Sequence, residues 1–487
     1  MKKTVLIALT LIILISFTAS FSYGRDDYIK AGGLIHLNSD VSSGEYSPEK
    51  LVGMAKEAGA GAVFLTENLM PRWQYGIFPL RNIIKKTVEK SGLLRYGPER
   101  YAERINKINE KLPQMTVLMA AEVAPFYFWS GTPFKKEGLT LNDWDLQFII
   151  TGLDPSDYRG IPTVSNGKFS YYGFGSILKL WPLVLLLVGV KCLRRKTSKV
   201  CLPDFLCWIL IITGAVFTIN NYPFKEMKYD QYHGRQGVFP YQDVIDYVNE
   251  KGGMVFWSNP EAFVSKKIGP VMYVSPTADK YMLESKGYTG FSSFYEGYRS
   301  IGSAGGVWDT VLKEYCAGER DSPVWTMGEM AYHSREASGG KEIDEVQTVF
   351  LVPSNTQKDI LDAMRRGRMY AVRKKKGYPL ELDSFTVERS DGKRAMMGEE
   401  INAAGPVTIN FSVSWRGETS EKITVKLIRS GEVIKEFPIE KGAEYRIEDD
   451  LYTGGDKIYY RLDVRGKYPS MLFSNPIFVN FTEEGST

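Results

Sequence analysis

The sequence predicts an α/β fold, interrupted by a pair of apolar helices and completed by a small antiparallel β domain. Three observations predict it. Apolar strand-like runs alternate with helical stretches across residues 30–160 and again across 221–373. Two almost uncharged apolar runs stand between those halves, at 177–219. Beyond residue 377 the pattern turns to apolar–polar alternation broken by glycine-rich turns such as Thr453-Gly454-Gly455-Asp456. With 487 residues, 44% of them hydrophobic and 24% charged, the chain has material for two or three packed domains and is neither disordered nor fibrous.

Residues 1–24 have the three-part form of a secretory signal: Lys2 and Lys3, an apolar run from Val5 to Phe17, then small and polar residues to Gly24. The run falls short of the about 20 residues that cross a bilayer, which favours a cleaved signal, while its continuation to Phe21 leaves an N-terminal anchor open. Both readings export the following domain.

Within 30–160, Ala62 to Thr66, Met115 to Ala120 and Phe148 to Thr151 read as strands, and Ser47 to Ala58 and Tyr101 to Lys111 as helices. Ser47-Pro48-Glu49 is a helix start, with serine at the cap, proline at the first helical position and an early carboxylate. The runs Ile177 to Leu193 and Phe205 to Ile219 then predict a transmembrane hairpin. Leu183 to Val190 is apolar on every face, whereas a surface helix carries a polar stripe. The connection 194–199 holds Arg194, Arg195, Lys196 and Lys199, which puts it in the cytoplasm and the soluble parts outside, the same side to which the signal delivers them.

In 221–373 the expected elements are helices at Tyr241 to Lys251, Trp308 to Tyr315 and Thr356 to Arg366, and strands at Met254 to Trp257 and Gln347 to Val352. Arg373-Lys374-Lys375-Lys376 reads as a solvated junction. In 377–482, Val407 to Trp415, Lys422 to Arg429, Lys457 to Val464 and Ile477 to Phe481 suit a small β-sandwich.

Charge and composition narrow the function. Sixty-one Lys and Arg against 57 Asp and Glu leave no surplus that asks for a nucleic acid. Three histidines are few for a hydrolase that works through several metal ions, since imidazole is their commonest ligand. Of four cysteines, Cys192, Cys201 and Cys207 lie in or beside the apolar runs and Cys316 stands alone, so there is no disulfide framework and no Cys-x-x-Cys metal spacing.

The stretch Gly33-Leu34-Ile35-His36-Leu37-Asn38-Ser39-Asp40-Val41-Ser42-Ser43-Gly44, followed by Ser47-Pro48-Glu49 and by Phe64-Leu65-Thr66-Glu67-Asn68, resembles the PHP (polymerase and histidinol phosphatase) superfamily. That family opens with a strand ending in His-x-His, continues through Ser-Asp-Gly and Ser-Pro-Glu-Glu, and ends its next strand in Thr-Asp-His. Here His36 matches the first histidine and Asn38 replaces the second, Ser43 replaces the aspartate, and Glu67-Asn68 replaces Asp-His. Further on, Glu122 matches the bridging glutamate, while Gln147 and Asn259 stand where histidines belong. Gly328-Glu329-Met330-Ala331-Tyr332-His333 resembles the closing Asp-x-His, with His333 kept. The tail ending Ser474-Asn475-Pro476-Ile477 resembles a branch of exported ester hydrolases with a C-terminal β domain.

The resemblance implies a distorted (β/α)7 barrel with up to three metal ions at its mouth, where a bound hydroxide attacks a phosphoester or related bond. His36, Glu67, Glu122 and His333 are the residues that remain for a metal. Asn38, Ser43, Asn68, Gln147 and Asn259 are degenerate ligand positions lining the mouth, and neutral amides are poor ligands for a cluster of divalent ions. The expectation is therefore an exported, membrane-anchored PHP-type protein acting as a binding or scaffold protein, on an envelope protein partner or a small extracellular ligand. The alternative is an ester hydrolase with a reduced site, its cofactor a single divalent metal (Zn, Mn or Fe). Trp73, Tyr75, Phe126, Tyr127, Phe128 and Trp129 follow strand ends and read first as packing, second as a wall of the mouth. His233 is read as a loop residue.

Overall fold

The computed structural model describes residues 28–136, 138–194, 203–294, 296–374, 378–450 and 456–482. The signal segment, all but Arg194 of the basic connection, and Lys375 and Lys376 of the junction lie outside them. One large sheet organises the described chain. Its first seven strands are β1 (Ile29–Leu37), β2 (Ala62–Asn68), β3 (Thr116–Val123), β4 (Gln147–Thr151), β5 (Met254–Ser258), β6 (Gly290–Phe294) and β7 (Trp325–Gly328), and they neighbour one another in chain order. β1, β2 and β3 run parallel, β4 is antiparallel to both β3 and β5, and β5, β6 and β7 are again parallel. On its other side β1 pairs antiparallel with β8 (Val346–Val352), and β8 with β9 (Met369–Arg373).

The two ends of the seven-strand run meet at β1. The Gly328 N–H donates to the Thr348 hydroxyl (2.9 Å), which donates back to the Gly328 carbonyl (2.8 Å). Past β7, the Tyr332 N–H donates to the His36 carbonyl and the Asn38 N–H to the Tyr332 carbonyl, each at 3.0 Å. The strands are almost wholly buried, as expected for near-continuous apolar runs covered on both faces.

Helices cover this sheet where the sequence predicts them: α1 (Pro48–Glu57), α2 (Pro98–Lys111), α5 (Phe239–Glu250), α6 (Val307–Cys316) and α7 (Gln357–Arg366), with α3 (Trp181–Arg194) and α4 (Asp204–Asn221) between α2 and α5. The Ser47 side chain accepts from the Lys50 N–H, as its cap position requires. α3 and α4 form an antiparallel pair with nearly all of their apolar side chains exposed or half-exposed, Leu187 and Ile212 among the exposed. The helical stretches Phe174–Arg194 and Asp204–Asn221 span about 31 and 27 Å at 1.5 Å per residue, long and apolar enough to cross a membrane. Gly189 and Gly214 let the two helices approach. A Cβ on Gly214 would stand 2.8 Å from the Leu186 amide nitrogen and 2.9 Å from the Pro182 carbonyl oxygen.

The sheet continues past residue 374. β9 pairs with Met471–Ser474, which pairs with Lys457–Arg465 and through it with Ile423–Arg429 and Glu432–Ile439. A second, four-stranded antiparallel sheet (Arg394–Met396, Leu380–Arg389, Val407–Trp415, Glu444–Asp449) shares one apolar cluster with this extension, including Phe385, Ile409, Val425 and Leu462. A buried ion pair ties the two halves. Arg461 grips Asp309 of α6 through Nε (2.8 Å) and Nη2 (2.6 Å), and lies over the Trp308 ring.

Sequence periodicity missed several elements. The hairpin of Arg72–Gly76 and Lys85–Glu89 has only Val88 as an apolar residue in its second strand, and β6 and β7 are five- and four-residue strands with Gly and Ser in place of alternating branched residues.

Candidate functional site

The strand ends carry the chemistry. β1 bulges between Leu34 and Leu37, and His36 takes a left-handed backbone (φ 71°), a conformation that costs a non-glycine residue about 1–3 kcal/mol and that clusters at functional sites. The next turn closes through Gly44, whose N–H donates to the Ser39 carbonyl (2.9 Å). A Cβ there would lie 1.8 Å from the Asn38 carbonyl oxygen, so glycine is required.

His36 is fully buried between two carboxylates. Its Nε2 lies 3.5 Å from Glu122 and its Nδ1 3.3 Å from Glu329, contacts held by charge because neither meets hydrogen-bond geometry. Burial pushes the imidazole down, but the two carboxylates outweigh it and raise it to about 10. His36 is thus an imidazolium at neutral pH. Burial raises Glu122, and the charge of His36 more than reverses that, leaving Glu122 below the usual carboxylate range.

Strand alternation explains the neighbours. In the parallel pair β2–β3 Asn68 lies abreast of Glu122, and the Asn68 amide nitrogen donates to that carboxylate. A side-chain amide oxygen cannot face a carboxylate oxygen at such range, so the nitrogen must. Glu67, one residue earlier, points the other way. Its buried carboxylate accepts from the Ser39 N–H (3.2 Å), the Ser39 hydroxyl (2.5 Å), the Ser42 hydroxyl and the Tyr101 hydroxyl of α2 (2.5 Å). Burial still leaves it above the usual range. Glu67 therefore holds the Ser39–Gly44 turn onto α2 and is not gathered with His36.

Asn38 anchors its amide nitrogen on the Thr66 carbonyl (2.7 Å), and its buried Oδ1 has no hydrogen-bond partner. His333 sits 3.1 Å from the Ser43 hydroxyl, close enough to His36 for burial and that positive charge to lower it. Asn259, also left-handed (φ 44°), donates its N–H to Glu329 (3.0 Å), as does the Ser258 hydroxyl (2.7 Å). Gln147 begins β4 opposite Ser258. So the structure brings His36, Asn38, Ser43, Asn68, Glu122 and His333 to one end of the sheet, with Gln147 and Asn259 beside them.

Two residues were missed. Glu329 lies four positions before His333, outside the Asp-x-His spacing, and its only sequence signal is a carboxylate just past a short apolar strand. Asp145, two residues before Gln147, is raised to about 7 by burial and by Glu122, against Lys266. Among the described residues no three His, Cys, Asp or Glu side chains are placed to hold a metal ion. The aromatic group is packing for the 72–89 hairpin: Tyr75 meets Trp129 edge-on at 5.3 Å, the Trp129 indole donates to the Gln74 carbonyl, and Phe126, Tyr127 and Phe128 are buried. His233 is exposed on a loop, 3.4 Å from Asp230.

Comparison with known proteins adds a likeness. The chain is similar to solved structures at low identity. One is a two-domain protein from Bacteroides vulgatus containing a predicted PHP-like metal-dependent phosphoesterase, 12% identical, covering 90% of this chain and 91% of that one, with a TM-score of 0.34. Another is an amidohydrolase from Chromobacterium violaceum with bound sulfate and no metal, 10% identical, covering 64% of this chain and 90% of that one, with a TM-score of 0.29. No protein-family model and no curated protein matches the chain.

Proposed function

We propose that this chain is an exported, membrane-tethered PHP-type protein whose strand-end site binds a ligand or partner and does not hydrolyse one. In this reading β1 to β7 form the distorted barrel, closed through the Tyr332–His36 hydrogen bond, the C-terminal part is a β-sandwich, and α3 and α4 hold both outside the cytoplasm. The observation that carries it is the pairing of the site's charges with one another. The His36 imidazole lies 3.5 Å from Glu122 and 3.3 Å from Glu329, and an amide N–H of Asn68 is aimed at Glu122. A carboxylate that bridged metal ions would face cations on those sides, so a multi-metal cluster does not fit these residues. What they offer is a set of neutral amide and hydroxyl groups (Asn38, Ser43, Gln147, Asn259) around a compensated core, suited to a polar ligand.

A second reading has one specific support. The Asn38 Oδ1 and the His36 Nε2 are buried and lack hydrogen-bond partners, and Nε2 lies 3.5 Å from Glu122, which favours a single divalent ion held by His36 and Glu122. Metal analysis of the full chain purified without chelator separates the two. Stoichiometric Zn, Mn or Fe that disappears in His36→Ala and Glu122→Ala would overturn the binding-protein reading. Substoichiometric metal, with a melting temperature unmoved by added divalent ions, supports it.

A further inference from the structure

The 72–89 hairpin forms a two-stranded sheet of its own. Its strands pair only with each other, from Arg72 opposite Glu89 to Gly76 opposite Lys85. The tip is tightly built: the Ile77 N–H donates to the Ile84 carbonyl (2.9 Å), and a Cβ on Gly76 would lie 2.0 Å from the Arg81 carbonyl oxygen. Such a tip could hold its side chains inward, yet Phe78 is 77% exposed and Ile83, Ile84 and Val88 are 42 to 48% exposed. Lys85, Lys86 and Lys90 are exposed beside them.

What covers this patch is indicated by where the tip is fastened. The Asn82 N–H donates to Asn220 Oδ1 (3.0 Å) and the Asn82 amide nitrogen to the Asn220 carbonyl (2.7 Å), while the Asn220 amide nitrogen donates to the Pro79 carbonyl (3.4 Å). Asn220 is the penultimate residue of α4, so the tip is fixed at the depth where that apolar helix ends. The same level carries exposed aromatic residues, Tyr172 and Phe174 before α3 and Tyr222 after α4. Aromatic rings of this kind collect at the headgroup layer.

We propose that the 77–90 segment is a third membrane-contact element, resting on the reading of α3 and α4 as a transmembrane pair. Phe78, Ile83 and Ile84 enter the boundary between headgroups and acyl chains of the leaflet from which α4 emerges. Lys85, Lys86 and Lys90 meet the phosphates of anionic lipids there. The element fixes the height and tilt of the soluble domain above the bilayer, which two helices joined by one short connection do not.

The test uses the full chain with its cysteines replaced by alanine, in nanodiscs of phosphatidylcholine and phosphatidylglycerol. Phe78→Cys, Ile84→Cys, Ile212→Cys and Asp391→Cys are each labelled with an environment-sensitive fluorophore, and lipids carrying a nitroxide high or deep on the acyl chain are included as quenchers. The expected result is quenching at 78 and 84 by the high nitroxide, at 212 by the deep one, and none at 391. Quenching at 212 with 78 and 84 as silent as 391 overturns this inference and leaves the transmembrane reading standing. Silence at 212 removes both. Lys85→Gln, Lys86→Gln and Lys90→Gln together should lower quenching at 78 to the value found in discs without phosphatidylglycerol, and unchanged quenching would remove the anionic-lipid contact. Photoreactive phosphatidylglycerol on unlabelled protein gives an independent reading, with crosslinks expected on peptide 77–90 and their absence counting against it.

Discussion

Replacing His36 by leucine removes the cation between Glu122 and Glu329 and leaves two carboxylates buried without it. The gap between about 10 in the fold and 6.5 in the unfolded chain corresponds to about 5 kcal/mol. Removing one partner of a buried ion pair costs about 3–5 kcal/mol, the same order. The loss is local, so hydrogen exchange of the full chain at the Asn38 and Tyr332 amides, which tie β1 to the segment after β7, reads it without assuming two-state unfolding. Exchange there should accelerate by roughly two to three and a half orders of magnitude at neutral pH. His36→Leu combined with Glu329→Gln should recover about 1–3 kcal/mol, since only one carboxylate then lacks its partner. The pH dependence has a definite sign. A group raised in the fold stabilises fully below its unfolded value, so the His36 contribution is complete below pH 6.5 and is lost as the pH rises through about 10. The melting-temperature gap between wild type and His36→Leu should narrow over that range. Exchange within threefold of wild type, or a gap that does not change with pH, would refute the ion-pair reasoning.

Other substitutions probe the rest of the structure. Arg461→Met should destabilise by about 3–5 kcal/mol through an uncompensated Asp309, and the further change Asp309→Asn should restore much of it, both read as melting temperature. Gly214→Leu should separate α3 from α4 and cost about 1–3 kcal/mol of stability in detergent-induced unfolding, while Val216→Leu on the same helix should not. Asp145 is raised in the fold, so its protonated form favours the native state and stability falls as pH rises from its unfolded 3.8 through about 7. Asp145→Asn should therefore be more stable than wild type at pH 8, by about 1–2 kcal/mol after allowance for partial exposure, and no more stable at pH 4.

The fold was largely legible because its long elements carry their own periodicity. The strands Val407–Trp415 and Ile477–Phe481 have the bounds that alternation predicts, and Ser47 caps α1 as its type requires. What was not legible depends on partners far along the chain. β6 and β7 are buried on both faces, so Gly290, Ser292 and Gly328 lie within strands whose sequence shows no alternation. At the site, motif positions identified which residues meet, yet not their directions. Glu67 seemed a ligand by type, and strand parity turns it toward Tyr101. Glu329 became visible only when the return of the chain to β1 put it beside Nδ1 of His36.

Three histidines make one measurement direct. Imidazole spectra of the full chain in nanodiscs, with only histidine labelled in 13C and 15N, contain three residues and report the protonation of each. At pH 8 the binding-site account predicts that His36 gives the imidazolium signature and keeps it when one equivalent of zinc is added. A neutral His36 whose Nε2 resonance moves with stoichiometric zinc would contradict it, and would make this end of the sheet a metal site.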